Sequence, residues 1–311
     1  MKNKAFTLVE MITSIVILGI LSAGIFVSIK HLYLRAAKTK ALSELSLDSQ
    51  IILDQISSLL YDRVPSTVIG SNSDGNFTSI YNIDSNFTTL EWIGTASEAL
   101  KARNYSGFVD MNASDRDNNT TVSYDMNETG LNAIECNKFG IKSDDCDSLY
   151  YGEVTALIFA GAFDDGSMLY DYNNSFGWHD NNHTLIYDIT GIAENNISLA
   201  VRPDEIYEKY YLVDSAYAVA RGEDIDISTC KSLRNSSILS DDNKTMLFLF
   251  YNYRPWKGEN FCEGNVTILS KEARGFEVGL INESIYFNLT LQRHIRGSEN
   301  NVTISKQKVV F

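Results

Sequence analysis

From Phe6 to Ile29 the chain runs 24 residues with a single charge, Glu10. A helix of that length spans roughly 36 Å, enough for a hydrocarbon layer of ~30 Å. Val9, Ile12, Ile15, Val16, Ile17, Leu18, Ile20, Leu21, Ile25 and Phe26 leave no polar stripe, so the run reads as a lipid-embedded helix rather than an amphipathic one. A cleaved secretory signal is the alternative; its apolar region is usually shorter and ends in a small-x-small site, which Ser22-Ala23-Gly24 offers. Glu10 is the anomaly, because a carboxylate at membrane depth costs on the order of 2.5–3.5 kcal/mol. Only Lys4 and, more weakly, Lys2 lie near it. Were the bond after Ala5 cut, Phe6 would present an amine one turn from Glu10, and a first-turn carboxylate offsets a charged amine at a helix N-terminus. In an assembly, the same carboxylate would neutralise the amine of an adjacent chain.

Lys2, Lys4, Ala5, then Phe6-Thr7-Leu8-Val9-Glu10 and the apolar run resemble the prepilin signature of type IV pilins and type II secretion pseudopilins. The resemblance implies a dedicated peptidase that cuts before Phe6 and methylates its amine, with Glu10 guiding subunits into a filament. The partners it implies are other pilin or pseudopilin subunits, the prepilin peptidase and an inner-membrane assembly platform. Two positions depart from the pattern. Ala5 stands where Gly is usual, which implies slower cleavage. No proline occurs before Pro65, whereas many major pilins carry one in mid-helix, so Gly19 and Gly24 are the soft points. Lys30, Arg35, Lys38 and Lys40 follow the run closely, so basic residues alone leave the orientation ambiguous. The cysteines and glycosylation sequons further along put the remainder outside: a single pass through the inner membrane, head in the periplasm, then pilus or cell surface.

Beyond the membrane run, Ala37, Ala41, Leu45, Ile52, Ile56 and Leu59 or Leu60 recur at helical spacing, with no Gly or Pro over residues 25–64. One helix of some fifty residues, stopped by Pro65, is the economical reading; the heptads are too few and irregular for a coiled coil. The expected organisation is a leader (1–5), a membrane half (6–29), an exported amphipathic half (30–64) and a β-rich head with loop-rich insertions (65–311). Residues 66–135 read as loops and short strands around a satellite core that includes Leu90–Ile93. Tyr151–Phe163, His183–Ile192 and Met246–Tyr253 read as strands. Ile285, Phe287, Leu289 and Leu291 alternate with Tyr286, Asn288, Thr290 and Gln292, and Phe276–Leu280 precedes them across a turn at residues 281–284. Val302/Ile304 and Val309/Phe311 suggest closing strands. A long helix against an antiparallel sheet is α+β, the lollipop shape that the resemblance also implies.

Hydrophobic residues at 44% and charged residues at 21% suit a folded head. A net charge of −14 argues against nucleic-acid binding, which draws on phosphate neutralisation; a DNA-uptake pilin would need a local basic patch. Cys136, Cys146, Cys230 and Cys262 all lie beyond the membrane run, an even count that favours two disulfides, and proximity prefers Cys136–Cys146 and Cys230–Cys262. No Cys-x-x-Cys or nearby His spacing supports the zinc alternative.

Asn-x-Ser/Thr occurs sixteen times, and eleven of the sites carry Asp or Glu two positions upstream: Asn76, Asn86, Asn112, Asn119, Asn127, Asn173, Asn182, Asn196, Asn243, Asn265 and Asn301. Composition predicts roughly four or five sequons and about two acidic ones. The extended form resembles the acceptor of bacterial periplasmic N-glycosylation; a polar, turn-rich surface is the alternative.

His179 and His183 stand four apart, but Gly177 and the Asn residues around them argue for a loop and solvent-facing side chains. Asp164-Asp165-Gly166 and Ser143-Asp144-Asp145 are acidic turns without the EF-hand pattern, and calcium stays open because some pseudopilins bind it. No nucleotide loop, nucleophile elbow or Ser/His/Asp grouping is present, so no cofactor or catalysis is expected. The expectation is a minor pilin or pseudopilin, its length favouring a tip or initiating role. A membrane-anchored adhesion or binding protein that never polymerises is the rival.

Overall fold

A computed structural model describes residues 7–72, 75–83, 87–140, 155–163, 172–235, 243–282 and 284–311. Helix α1 (Leu8–Tyr61) runs unbroken for 54 residues, through Gly19 and Gly24, to a C-cap at Asp62. Pro65 then opens a 3₁₀ turn, where its missing N–H and fixed φ suit a first position. The large apolar side chains from Leu8 to Tyr33 stand exposed, and only α1 is long and apolar enough to cross a membrane among the described residues. Burial begins at Ala41 and continues through Leu45, Ile52, Leu53, Ile56 and Leu60, one stripe along a 3.6-residue period.

That stripe packs on an antiparallel sheet of β11 (Ala273–Ile281), β12 (Ser284–Arg293) and β13 (Val302–Val310). Ile285, Phe287, Leu289 and Leu291 of β12 fill the interface, as their alternation predicts. β11 and β12 close on Ile281↔Ser284, with Asn282 in the left-handed region (φ 47°), where Asn is tolerated. At the rim, Arg293 bonds Glu44 (2.5 Å) and Glu272 (2.6 and 2.8 Å), Lys306 Nζ donates to the Ser46 carbonyl (2.7 Å), and Lys308 pairs with Asp54.

A second, ten-stranded sheet is built around β8 (Tyr210–Arg221). Along one side β8 pairs β3 (Thr89–Thr95), which leads to β1 (Ile69–Ser71) and β2 (Phe77–Ser79). Along the other it pairs first β5 (Ala156–Phe159), then β9 (Leu247–Tyr253), so the sheet forks beside Asp214. One branch continues through β6 (Tyr187–Ala193) and β7 (Asn196–Leu199) to β4 (Thr120–Val122), the other to β10 (Asn265–Ser270). Short helices α2 (Ser97–Lys101), α3 (Glu128–Phe139), α4 (Tyr172–Ser175) and α5 (Lys231–Asn235) fill the connections.

Leu90, Trp92, Val219, Leu247 and Leu249 share one core with α1 and the three-stranded sheet; Ile93, Ala216, Phe248 and Phe250 face a second with Trp178 and Trp256. The α+β class is as expected, with three corrections. Leu90–Ile93 belongs to a central strand buried on both faces, not to a satellite core. Within Tyr151–Phe163, strand covers Ala156–Phe159 before the chain tightens into a 3₁₀ turn; residues 151–154 lie outside the described residues. β6 starts at Tyr187, four residues after His183.

Candidate functional site

α1 begins with a reciprocal cap. The Thr7 backbone N–H and hydroxyl both donate to Glu10 Oε2 (2.9 Å each), and the Glu10 N–H donates to Thr7 Oγ1 (3.3 Å). The carboxylate is thus held by orphan donors of the helix start, and nothing else in the described chain packs on it. Within one subunit Glu10 is satisfied locally and displayed at the tip of an exposed rod. Thr7 was missed by the sequence reading, although Thr-x-x-Glu ahead of an apolar run is the signature of such a cap. Deeper in the run, Thr13, Ser22 and Ser28 return their hydroxyls to the carbonyls of Val9 (3.0 Å), Leu18 (2.7 Å) and Gly24 (2.9 Å). Each of these three hydroxyls is thereby satisfied within the helix itself. Ala5 and Phe6 lie outside the described residues.

On the head, Cys230 and Cys262 form a disulfide with Cα atoms 4.7 Å apart, tying α5 to the turn Phe261–Glu263, and Lys231 pairs with Glu263 across the same seam. Cys136, in α3, is also disulfide-bonded; Cys146, its preferred partner by proximity, lies outside the described residues. Of the acidic sequons, Asn76, Asn112, Asn127, Asn182, Asn196, Asn265 and Asn301 are exposed. They sit in turns, loops or at element ends, and Asn127 also caps α3. Asn119 and Asn243 are half-buried, Asn86 lies outside the described residues, and the Asn173 side chain in α4 does too. The buried sequon asparagine Asn104 lacks the upstream acid.

His179 corrects the expectation of a solvent-facing residue. Its Nε2 lies 3.0 Å from Oε1 of Glu91, a β3 carboxylate that is 2% exposed. Ser71 donates to the same oxygen (2.5 Å), Tyr253 donates to Oε2 (2.9 Å), and Phe77 stacks on the imidazole at 4.9 Å. Burial alone would raise the Glu91 carboxyl; His179 and the two hydroxyls outweigh it and hold it below the ordinary carboxylate value. Burial likewise opposes the His179 charge, and Glu91 overrides it, raising the imidazole. Left-handed backbone at Gly177, His179 and Asp180 aims the ring inward. His183, as expected, is exposed. Beside His179 a cleft of about 400 Å³ opens between the β1–β2 turn, residues 224–231 and residues 260–263. No group of three or more His, Cys, Asp or Glu suited to a metal occurs among the described residues; both acidic turns considered for calcium lie outside them.

Residues 1–26 match the family model of the prokaryotic N-terminal methylation motif. Comparison with curated proteins and with solved structures gives no match. The motif suggests a structural, non-enzymatic protein and implies contact with prepilin peptidase and other pilin subunits in general; with the apolar helix, it fits an inner-membrane anchor. The basic start, the Thr7–Glu10 cap and the unpacked apolar half of α1 are together a type IV pilin or pseudopilin-type prepilin segment.

Proposed function

We propose that the protein is a minor pilin or pseudopilin, a subunit that enters a type IV pilus or type II secretion pseudopilus or primes its assembly. Residues 1–5 are removed after Ala5, Phe6 receives the methyl group, residues 6–29 wait in the inner membrane with the head in the periplasm, and the assembly platform draws the subunit into the filament. The observation that carries this reading is the division of α1. Its second half is embedded in the head, while its first half buries nothing and ends in a carboxylate whose contacts are all with its own first turn. Such a half needs lipid or neighbouring rods to cover it. An incoming Phe6 amine would find Glu10 accessible, trading the Thr7 bonds for an ionic contact that fixes axial register.

Peptide mass spectrometry of the recovered protein tests this: a first peptide starting at methylated Phe6 supports it, and one starting at Met1 refutes it in favour of a fixed anchor. We further propose N-glycosylation of the exposed acidic sequons, supported by their positions in turns and loops; glycan-free peptides spanning Asn76, Asn112 and Asn265 would refute it.

A further inference from the structure

Helix α3 places Glu135 and Lys138 on one face, three residues apart. That face meets β8 where the large sheet forks. Lys138 Nζ lies 2.5 Å from Asp214 Oδ2, with the Lys138 side chain 17% exposed and that of Asp214 1%. Asp214 Oδ1 and both oxygens of Glu135, itself 1% exposed, have no hydrogen-bond donor among the described residues. Two adjacent buried carboxyl groups without donors are satisfied only by a proton held between them. Burial first, and the neighbouring Asp214 charge second, push Glu135 up to about 9, so at neutral pH it is the proton carrier and donates to Asp214. Burial works against the Lys138 charge, yet Asp214 keeps it raised. Among the described residues, Glu98, Tyr105 and Tyr217 are the other titratable groups that face the cluster. An amine, a carboxylate and a neutral acid thus meet in a site almost closed to water.

We propose that Lys138 and Asp214 join in an intramolecular isopeptide bond, with Glu135 as the proton-transfer residue. Within the buried pair, a proton passes from the ammonium to the carboxylate, leaving a neutral amine and a neutral acid; burial, which works against both charges, lowers the cost of that transfer. The Lys138 lone pair attacks Asp214 Cγ and the C–N bond forms, while the Glu135 O–H donates to the oxygen on which charge develops. The Glu135 carboxylate then takes a proton from the nitrogen and returns it to the departing hydroxyl. The C–O bond breaks, water leaves, and the proton that Glu135 placed on the remaining oxygen returns to it, leaving the neutral amide. The balance is ammonium plus carboxylate to amide plus water: no oxidant or second molecule is consumed, Glu135 ends protonated, and one charge of each sign disappears. Fixed contact between the reacting groups supplies what amide formation lacks in solution, since well-oriented intramolecular pairs reach effective molarities on the order of 10⁵–10⁸ M. α3, already disulfide-bonded through Cys136, would thereby be fastened to the central strand of the head. This inference is independent of the filament reading.

The test is a tryptic digest of the reduced, full-length protein recovered from producing cells. The expected product is a branched peptide, uncut after Lys138, joining it to the Asp214 segment and lighter than the two by one water. Glu135→Gln and Lys138→Arg should each release the linear Asp214 peptide. Linear wild-type peptides of full mass covering Lys138 and Asp214 overturn the bond, whether or not any variant folds. A branched peptide persisting in Glu135→Gln overturns the role of Glu135.

Discussion

The docking of α1 on the head predicts that two isoleucines five residues apart on one helix respond very differently to the same truncation. Ile56 is fully buried among α1 and both sheets, whereas Ile51 is 47% exposed. Truncation to Ala removes three carbon groups. At ~0.8 kcal/mol each, the transfer cost at Ile56 is about 2.4 kcal/mol. The cavity left behind brings the total into the range of about 2–5 kcal/mol. At Ile51 only about half the transfer cost applies, no closed cavity forms, and the better helix propensity of Ala returns a few tenths, leaving about 1 kcal/mol or less. The gap between variants is therefore at least about 1 kcal/mol, or roughly 2–4 °C in Tm for a domain of this size. Near-ultraviolet circular dichroism of the detergent-solubilised chain during heating reads it. Equal shifts for Ile56→Ala and Ile51→Ala would refute the packing of α1 against the sheets.

Glu10→Ala should leave the head's melting unchanged while abolishing incorporation; mutant subunits at wild-type level in sheared filaments would contradict this. Removing the Cys230–Cys262 bridge, which spans 32 positions, should cost about 3–4 kcal/mol on loop-closure grounds, read as a lower urea midpoint in the double Ser variant. The His179–Glu91 pair predicts a stability plateau in pH. His179 is raised, so its contribution is complete below its ordinary 6.5 and fades as pH climbs through the folded value. Glu91 is lowered, so its contribution is complete above its ordinary 4.5 and fades as pH falls through the depressed value. Urea midpoints should therefore peak between about pH 4.5 and 6.5, and His179→Ala should flatten the alkaline side.

The parts of the molecule legible in sequence are those whose pattern is local. α1 announces itself by an uninterrupted helical period, and β12 by clean alternation, because one of its faces is buried and the other solvated. β8 escapes notice for the opposite reason: buried along nearly its whole length on both faces, it has no alternation to display. α3 carried readable ends, Asn127 as N-cap and Gly140 as a left-handed C-cap, but little apolar stripe between them. At the candidate sites, Thr7 and Glu10 are three residues apart and were recoverable. His179 meets a glutamate 88 positions away, and Lys138 an aspartate 76 positions away, so folding alone reveals what each side chain is for.

A rod without a hinge also fixes azimuth. Since α1 runs from Thr7 to Asp62 without a break, the angle at which the head faces its surroundings is set by the number of residues between the apolar half and the first buried turn. One residue inserted near Tyr33 would swing the head by about 100° and raise it ~1.5 Å, whereas seven would bring it back to within about 20° of its original heading, roughly 10 Å farther out. Length variation along this stalk is thus tolerable in steps of whole turns and ruinous in between.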